Sequence, residues 1–250
     1  MWVNLSQKLA RRLVLLMPRS MRDGLRLLFN SDASVEFCLR QLKDKGFHPE
    51  QIVDCGAYMG NWTRMIKKHF PQARVLMIEP QEDKQPFLAQ IQNEFPGSVD
   101  YVQCLMGPEA KTAVNFFEIE GGGSSLLGEL TAAPRRTVTR PMKRLDDVLQ
   151  EKGISPALLK FDVQGFELEV LKGAPKAMQE AEVILLEVSF VRYNPSGPLF
   201  HEVIAFMKER GFVVYDICPL GRFAGVTLFQ ADVFFVKEDS QYRQINFAAD

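Results

Sequence analysis

Asp54, Gly56 and Gly60 stand in the run Ile52-Val53-Asp54-Cys55-Gly56-Ala57-Tyr58-Met59-Gly60-Asn61-Trp62-Thr63. A short apolar segment delivers a carboxylate, two glycines follow at a spacing of four, and a helical pattern begins. Glycine lets backbone approach a ligand where a Cβ would clash. A helix start adds N–H groups that have no partner within the helix. A second acid, Glu79, follows the apolar run Arg74–Ile78 and precedes Pro80, nineteen residues past Gly60. An acid at the end of a second strand suits the two hydroxyls of a ribose. Together these residues read as a nucleotide-binding arrangement.

The nucleotide is narrowed by what the motif lacks. A dinucleotide fingerprint reads G-x-G-x-x-G, with its second glycine admitting a pyrophosphate. Here the pattern is D-x-G-x-x-x-G. A carboxylate ahead of the first glycine is a poor neighbour for pyrophosphate and a good one for an ammonium group. S-adenosylmethionine carries an α-amino group and no phosphate. Its methionine half is expected over Gly56, Ala57, Tyr58, Gly60 and Asn61 near Asp54, and its ribose at Glu79 and Pro80. Two rival readings stay open. One is a nicotinamide-dependent oxidoreductase on a similar fold, disfavoured by the missing fingerprint and by Asp54. The other is a non-catalytic cofactor-binding module that recruits partners through a basic N-terminal helix.

The elements that must hold these residues alternate in type. Ser34–Leu42 reads as a helix started by Ser34 and closed near Gly46. Strands are expected at Gln51–Asp54, Arg74–Ile78 and Val99–Leu105, with a helix over Asp83–Glu94 broken by Pro96-Gly97. Thr112–Ile119 and Arg136–Met142 read as added extended segments around a mobile Gly121–Ser125 loop. The rhythm resumes with a helix over Leu145–Lys152, a strand over Ala157–Val163, a helix over Glu167–Ala181 and a strand over Val183–Phe190. A helix over Phe200–Arg210 and strands at Phe212–Ile217 and Asp232–Val236 follow. Strands alternating with helices imply an α/β fold with a mostly parallel sheet covered on both faces. The final pair, joined without a helix, permits an antiparallel strand at the edge.

At 250 residues with 46% apolar content the chain can bury a sizeable core. A net charge of −1 gives no broad nucleic-acid footprint, so no nucleic-acid partner is expected. Cys38, Cys55, Cys104 and Cys218 include no CxxC pair and read as buried thiols of a reducing, cytoplasmic protein. Residues 1–33 form a separate basic segment; the first thirty carry a net charge of +5. Leu9, Leu13, Leu16 and Met17 fall at helical spacing there, giving an amphipathic helix packed on the domain. Its apolar run is too short to span a bilayer; a cap over the substrate site or a dimer contact is the second reading, and contact with a membrane surface a third. Residues 34–240 are read as the main domain and 241–250 as a tail. Oligomeric state is not readable.

The run Leu158-Leu159-Lys160-Phe161-Asp162-Val163-Gln164-Gly165-Phe166-Glu167-Leu168-Glu169-Val170-Leu171-Lys172-Gly173-Ala174 closely resembles the signature of the FkbM family of class I methyltransferases. Leu145-Asp146-Asp147, Glu187 and the terminal Leu228-Phe229-Gln230-Ala231-Asp232-Val233 are similar to that family as well. The resemblance spans roughly Val35 to Phe235 and leaves the basic N-terminal segment outside it. It implies a seven-stranded Rossmann-like sheet with an antiparallel last strand. It further implies S-adenosylmethionine-dependent O-methyl transfer to a sugar, glycan or natural-product hydroxyl. It places the adenine at Cys104, Leu105 and Met106, after the third strand.

Methyl transfer from a sulfonium needs the acceptor oxygen held in line and its proton removed. Asp162, at the end of a strand on the edge where such sheets bind ligands, is the candidate base. Gln164 is placed to orient cofactor or acceptor. Glu187 sits within an apolar run and needs a partner, either Arg192 or the site itself. Asp162 and Glu187 have the oxygen ligands a hard cation such as Mg²⁺ accepts, but two acids do not make a site, and no metal is assigned. Ser124 and Ser125 are expected as hydroxyl donors on a closing loop, and Tyr193 as an acceptor contact.

Overall fold

The computed structural model describes residues 34–119, 135–192, 194, 196–223 and 226–244. Helix α1 (Val35–Asp44) opens the described chain. Ser34 caps it, its Oγ accepting the N–H of Phe37 at 3.1 Å. Strand β1 (Gln51–Cys55), helix α2 (Asn61–His69), strand β2 (Arg74–Ile78), helix α3 (Gln85–Glu94) and strand β3 (Val99–Val102) follow. After the short β4 (Leu105–Met106), β5 (Lys111–Ile119) and β6 (Arg135–Lys143), the alternation returns. It continues with α4 (Leu145–Lys152), β7 (Leu158–Phe161), α5 (Glu167–Lys172), α6 (Pro175–Glu180), β8 (Val183–Ser189) and α7 (Phe200–Lys208). Strands β9 (Phe212–Phe223) and β10 (Thr227–Lys237) close the fold.

Seven strands form one sheet in the order β3-β2-β1-β7-β8-β10-β9. All pairings are parallel except those of β10, which runs antiparallel to both β8 and β9. This is the Rossmann-like sheet with a reversed last strand that the family resemblance implies. The chain starts in the middle, winds outward to β3, then returns to β7 beside β1. The strand order therefore reverses between β1 and β7, the position where open α/β sheets hold ligands.

The period of two along each strand sorts the core onto two faces. Val53, Leu76, Leu159, Ile184 and Leu186 point to one side, with Leu145, Val148, Val170, Met178, Val203 and Met207 from the covering helices. Ile52, Val75, Met77, Leu158 and Leu185 point to the other, against Leu39, Leu42, Ile66, Leu88 and Ile91. Both faces are thus sealed, which is why the central strands read as continuous apolar runs.

Three local details differ from the sequence expectation. The third strand is broken at Gln103-Cys104, and β4 leaves the main sheet to pair with β6. The two added extended segments join it as a separate three-stranded sheet, β4-β6-β5. The helix expected over Glu167–Ala181 is two short helices, α5 and α6. They part at Gly173, where an added Cβ would lie 2.2 Å from the Gly107 carbonyl oxygen, and Pro175 starts the second. The segment set apart as a tail, 241–250, includes Tyr242, buried against Phe47 at the core. Among the described residues no helix is long and apolar enough to cross a membrane. Residues 1–33, Ser124, Ser125 and Tyr193 lie outside the described residues.

Candidate active site

A cavity of about 250 Å³ opens at the carboxyl end of the parallel strands. Its walls come from the turns after β1, β2, β3 and β7, with Phe116 of β5 reaching in from the small sheet. Gly56, Tyr58, Glu79, Pro80, Cys104, Leu105, Asp162 and Gln164 line it, as their sequence positions suggested. Met106, beside Cys104 and Leu105, and Val163 and Phe166 of the signature run line it too, as do Gln81 and Phe116, which were not singled out. No signal in the sequence marks Gln81 or Phe116: the turn after β2 places the first, and the pairing of β5 with β6 places the second.

The turn after β1 is tightly bound to its surroundings. The N–H groups of Gly56 and Ala57 both donate to the Ile78 carbonyl, at 2.9 and 3.1 Å. That of Gly60 donates to the Ala57 carbonyl at 2.7 Å, and that of Tyr58 to Glu79 Oε2 at 2.8 Å. Four N–H groups of the turn thus bond within the protein and are not offered to a ligand. Gly56 (φ +79°) lies so close to β7 that an added Cβ would fall 1.8 Å from the Asp162 carbonyl oxygen. Gly60 (φ +71°) does not reach the cavity; its missing Cβ makes room for Ile91, 2.2 Å from where that atom would lie. Ala57 is buried and Asn61 is exposed, and neither lines the cavity.

Glu79 is nearly fully buried at the cavity wall. Oε2 accepts the Tyr58 N–H, and Oε1 accepts the Gln81 N–H at 3.0 Å and Gln81 Nε2 at 3.1 Å. Burial raises its pKa, and these three donors oppose the shift. A carboxylate offers about four acceptor positions. Three are taken by the protein, so Oε2 retains one for a ligand hydroxyl, and a second opens if the Gln81 amide yields. Ile78, Leu105, Met106 and Phe116 supply apolar surface for a flat base. The residues present therefore fit the nucleoside of S-adenosylmethionine.

Asp54 departs from its expected role. Its side chain is fully buried and off the cavity wall, with Lys160 Nζ at 3.0 Å from Oδ1 and Thr63 Oγ1 donating to Oδ2 at 2.8 Å. The ammonium that meets this carboxylate belongs to the protein. Lys160 lies directly opposite Asp54 in the β1–β7 register. Its Nζ also donates to the Gly56 carbonyl at 2.9 Å and stands 3.8 Å from Asp162 Oδ2. Burial opposes its charge, but the two acids outweigh that and push its pKa up. Lys160 thus joins the glycine turn to the end of β7. The signal for it was present: one cation and one anion, each inside an apolar strand, must find each other.

Beyond β7 the carboxylates gather. Asp162 Oδ1 accepts Gln164 Nε2 at 2.8 Å, and the same amide nitrogen stands 3.2 Å from Glu187 Oε2. Gln230 Nε2 donates to Glu187 Oε2 at 2.9 Å. Arg192, the partner considered for Glu187, instead pairs with Glu202 at 3.1 Å and the Gly197 carbonyl at 2.7 Å. Burial, then Asp162, Glu167 and Asp232, push the Glu187 pKa up to about 9. Asp232, opposite Glu187 in the β8–β10 register, is raised to about 7 by burial and by Asp162. Glu167 is raised to about 7 chiefly by burial. It turns back to accept the N–H groups of Val163 and Gly165 at 3.0 and 3.1 Å, and so braces the turn after β7.

That turn is strained. Gln164 adopts φ +55°, in the left-handed region. Such residues persist only where the surroundings fix them. Here Asn194 Nδ2 holds the Gln164 carbonyl at 2.7 Å from a buried position. Tyr58, at φ +49°, is the other non-glycine residue described in that region, and it too lines the cavity. Cys104 is raised to about 12 by burial, so it contributes a wall and not a nucleophile. Among the described residues no group of three or more His, Cys, Asp or Glu side chains is placed to share one metal ion.

Comparison with known proteins points to one family. The model of the methyltransferase FkbM domain matches residues 54–214. Methyltransferase sdnD of Sordaria araneosa is 30% identical over 192 residues, covering 64% of this chain and 73% of that protein. Methyltransferase 1 of Beauveria bassiana (strain ARSEF 2860) is 30% identical over 185 residues, covering 65% and 72%. The crystal structure of methyltransferase FkbM from Methylobacillus flagellatus KT superposes with a TM-score of 0.49 at 18% identity. That superposition covers 74% of this chain and 43% of the longer one. The matched stretch begins at Asp54 and takes in the glycine turn, Glu79, Lys160, Asp162 and Glu187, and the chain belongs to the FkbM family of S-adenosylmethionine-dependent methyltransferases.

Proposed function

We propose that the protein methylates a hydroxyl group on a small molecule, either a sugar or glycan or a natural product, with Asp162 as the base. The observation that carries this reading is the exposure of one acid out of a buried group. The Asp162 side chain is 38% exposed and lines the cavity, whereas Glu167 and Glu187 are off its wall. S-adenosylmethionine supplies a methyl group already activated on a cationic sulfur. The chain has to place the acceptor and hold its proton.

Glu79 receives the ribose, and Pro80, Cys104 and Leu105 bound the space for the base. Gly56 and Tyr58 flank the path toward Asp162. Asp162 takes the acceptor's hydroxyl proton. Gln164 fixes the carboxylate's orientation through its amide and ties it to Glu187, which holds that amide from the far side. Asp54, Ala57, Gly60 and Asn61 act behind this surface by shaping the turn. An alcohol keeps its proton at neutral pH, so loss of the base is expected to cost about 10²–10⁴-fold in turnover.

Asp162→Asn tests the assignment. Methyl transfer from labelled S-adenosylmethionine to a panel of hydroxylated acceptors is compared with S-adenosylhomocysteine binding. Retained binding with turnover reduced by that factor is expected. Unchanged turnover would remove Asp162 from the proton chemistry.

A further inference from the structure

Cys38 and Cys218 lie 180 positions apart in sequence, yet their Sγ atoms stand 2.6 Å from each other. Both are fully buried and free. Cys38 is on α1, and Cys218 is on β9, the edge strand of the main sheet. Neither lines the cavity. The sequence gives no hint of the pairing, since the packing of α1 on β9 alone makes these thiols neighbours. A disulfide needs its sulfurs about 2.05 Å apart. The pair therefore has to close by only about half an ångström.

We propose that Cys38 and Cys218 are a redox modification site, a thiol pair that oxidises to a disulfide fastening α1 to the edge of the sheet. The co-reactant is a small disulfide such as oxidised glutathione. One cysteine thiolate attacks it, a mixed disulfide forms, and one small thiolate leaves. The second cysteine sulfur then attacks the mixed disulfide, the Cys38–Cys218 bond forms, and the second small thiolate leaves. The two thiol protons end on the departing thiols, and the two electrons given up by the cysteines reduce the oxidant.

The surroundings make this slow and specific. Cys38 is hydrogen-bonded to Cys218 and lies 3.2 Å from Asp216 Oδ2. The neighbouring sulfur, burial and the Asp216 carboxylate all disfavour its thiolate. Reaction therefore requires α1 to lift from the sheet and then reseat. Once formed, the bond closes a loop that contains every donor-side and proton-handling residue from Asp54 to Glu187. Cross-links of long loops stabilise chiefly by restricting the unfolded chain.

The test uses the wild-type protein. It is incubated with oxidised glutathione, unfolded in an alkylating agent, and mapped without reduction. The expected result is two alkylated thiols out of four, Cys55 and Cys104, with a Cys38–Cys218 linked peptide and a mass lower by about 2 Da before alkylation. The melting temperature should rise on the order of 5–10 °C and fall back on reduction. Four alkylated thiols, glutathione adducts alone, a bridge through Cys55 or Cys104, or a linked protein that melts no higher would each overturn the proposal.

Discussion

Lys160 is the residue on which the two halves of the site converge. It answers the buried Asp54 charge, holds the Gly56 carbonyl, and faces Asp162. Removing one member of a buried ion pair leaves the other uncompensated, which costs about 3–5 kcal/mol. Lys160→Met should lower stability by that amount in urea unfolding, and adding Asp54→Asn should restore much of it. A loss below 1 kcal/mol would show that Asp54 does not depend on Lys160. Glu187 makes a second prediction. Its folded pKa is raised above the ordinary carboxylate value, so it contributes stability at low pH that is lost as pH rises through the folded value. Glu187→Gln should therefore melt close to wild type near pH 5 and above it at pH 9. An equal difference at both pH values would contradict the shift. At this scale the sequence made the acids at Glu79, Asp162 and Glu187 visible, because each ends or interrupts an apolar run; the structure puts Glu79 and Asp162 on the cavity wall and Glu187 behind it. It misled on Asp54, because a lysine one strand away in space is 106 positions away in the chain.

The elements explain why the glycines are where they are. Strands β1 and β7 are neighbours, and the turn leaving β1 presses against the carbonyl leaving β7. Gly56→Ala would force a Cβ against that carbonyl at a positive φ, and a loss above about 4 kcal/mol is expected. Gly46 also has a positive φ (+94°), but open space where its Cβ would lie. Gly46→Ala should cost only about 1–2 kcal/mol, the backbone term alone. Equal losses at the two sites, read from denaturant midpoints, would mean the close approach does not matter. Strand and helix positions were readable from periodicity wherever one face of an element is buried. The exceptions have local causes. Residues Val99–Leu105 look like one strand because both ends are apolar, yet their partners lie in different sheets. Residues 167–181 look like one helix because nothing in the pattern shows the Gly107 carbonyl that wedges in at Gly173.

At the scale of the molecule, the sheet order brings together residues spread from Gly56 to Gln230 at one edge. Alternation of strands and helices announced the α/β class, and the Asp162–Ala174 signature announced the family. The small β4-β6-β5 sheet, which adds Phe116 to the cavity, was not readable, since its pairing depends on the β3–β4 break. The acceptor's identity is likewise absent from periodicity, because loops shape that side of the cavity. The donor side carries the central claim, that Glu79 and the glycine turn hold S-adenosylmethionine and no dinucleotide. Calorimetric titration of the wild-type protein and of Glu79→Ala with S-adenosylhomocysteine, and separately with NADH, tests it most directly. Saturable binding of S-adenosylhomocysteine is expected, weakened about 10–100-fold by Glu79→Ala, with no heat from NADH. Binding of NADH without S-adenosylhomocysteine, or an unchanged affinity in Glu79→Ala, would contradict it.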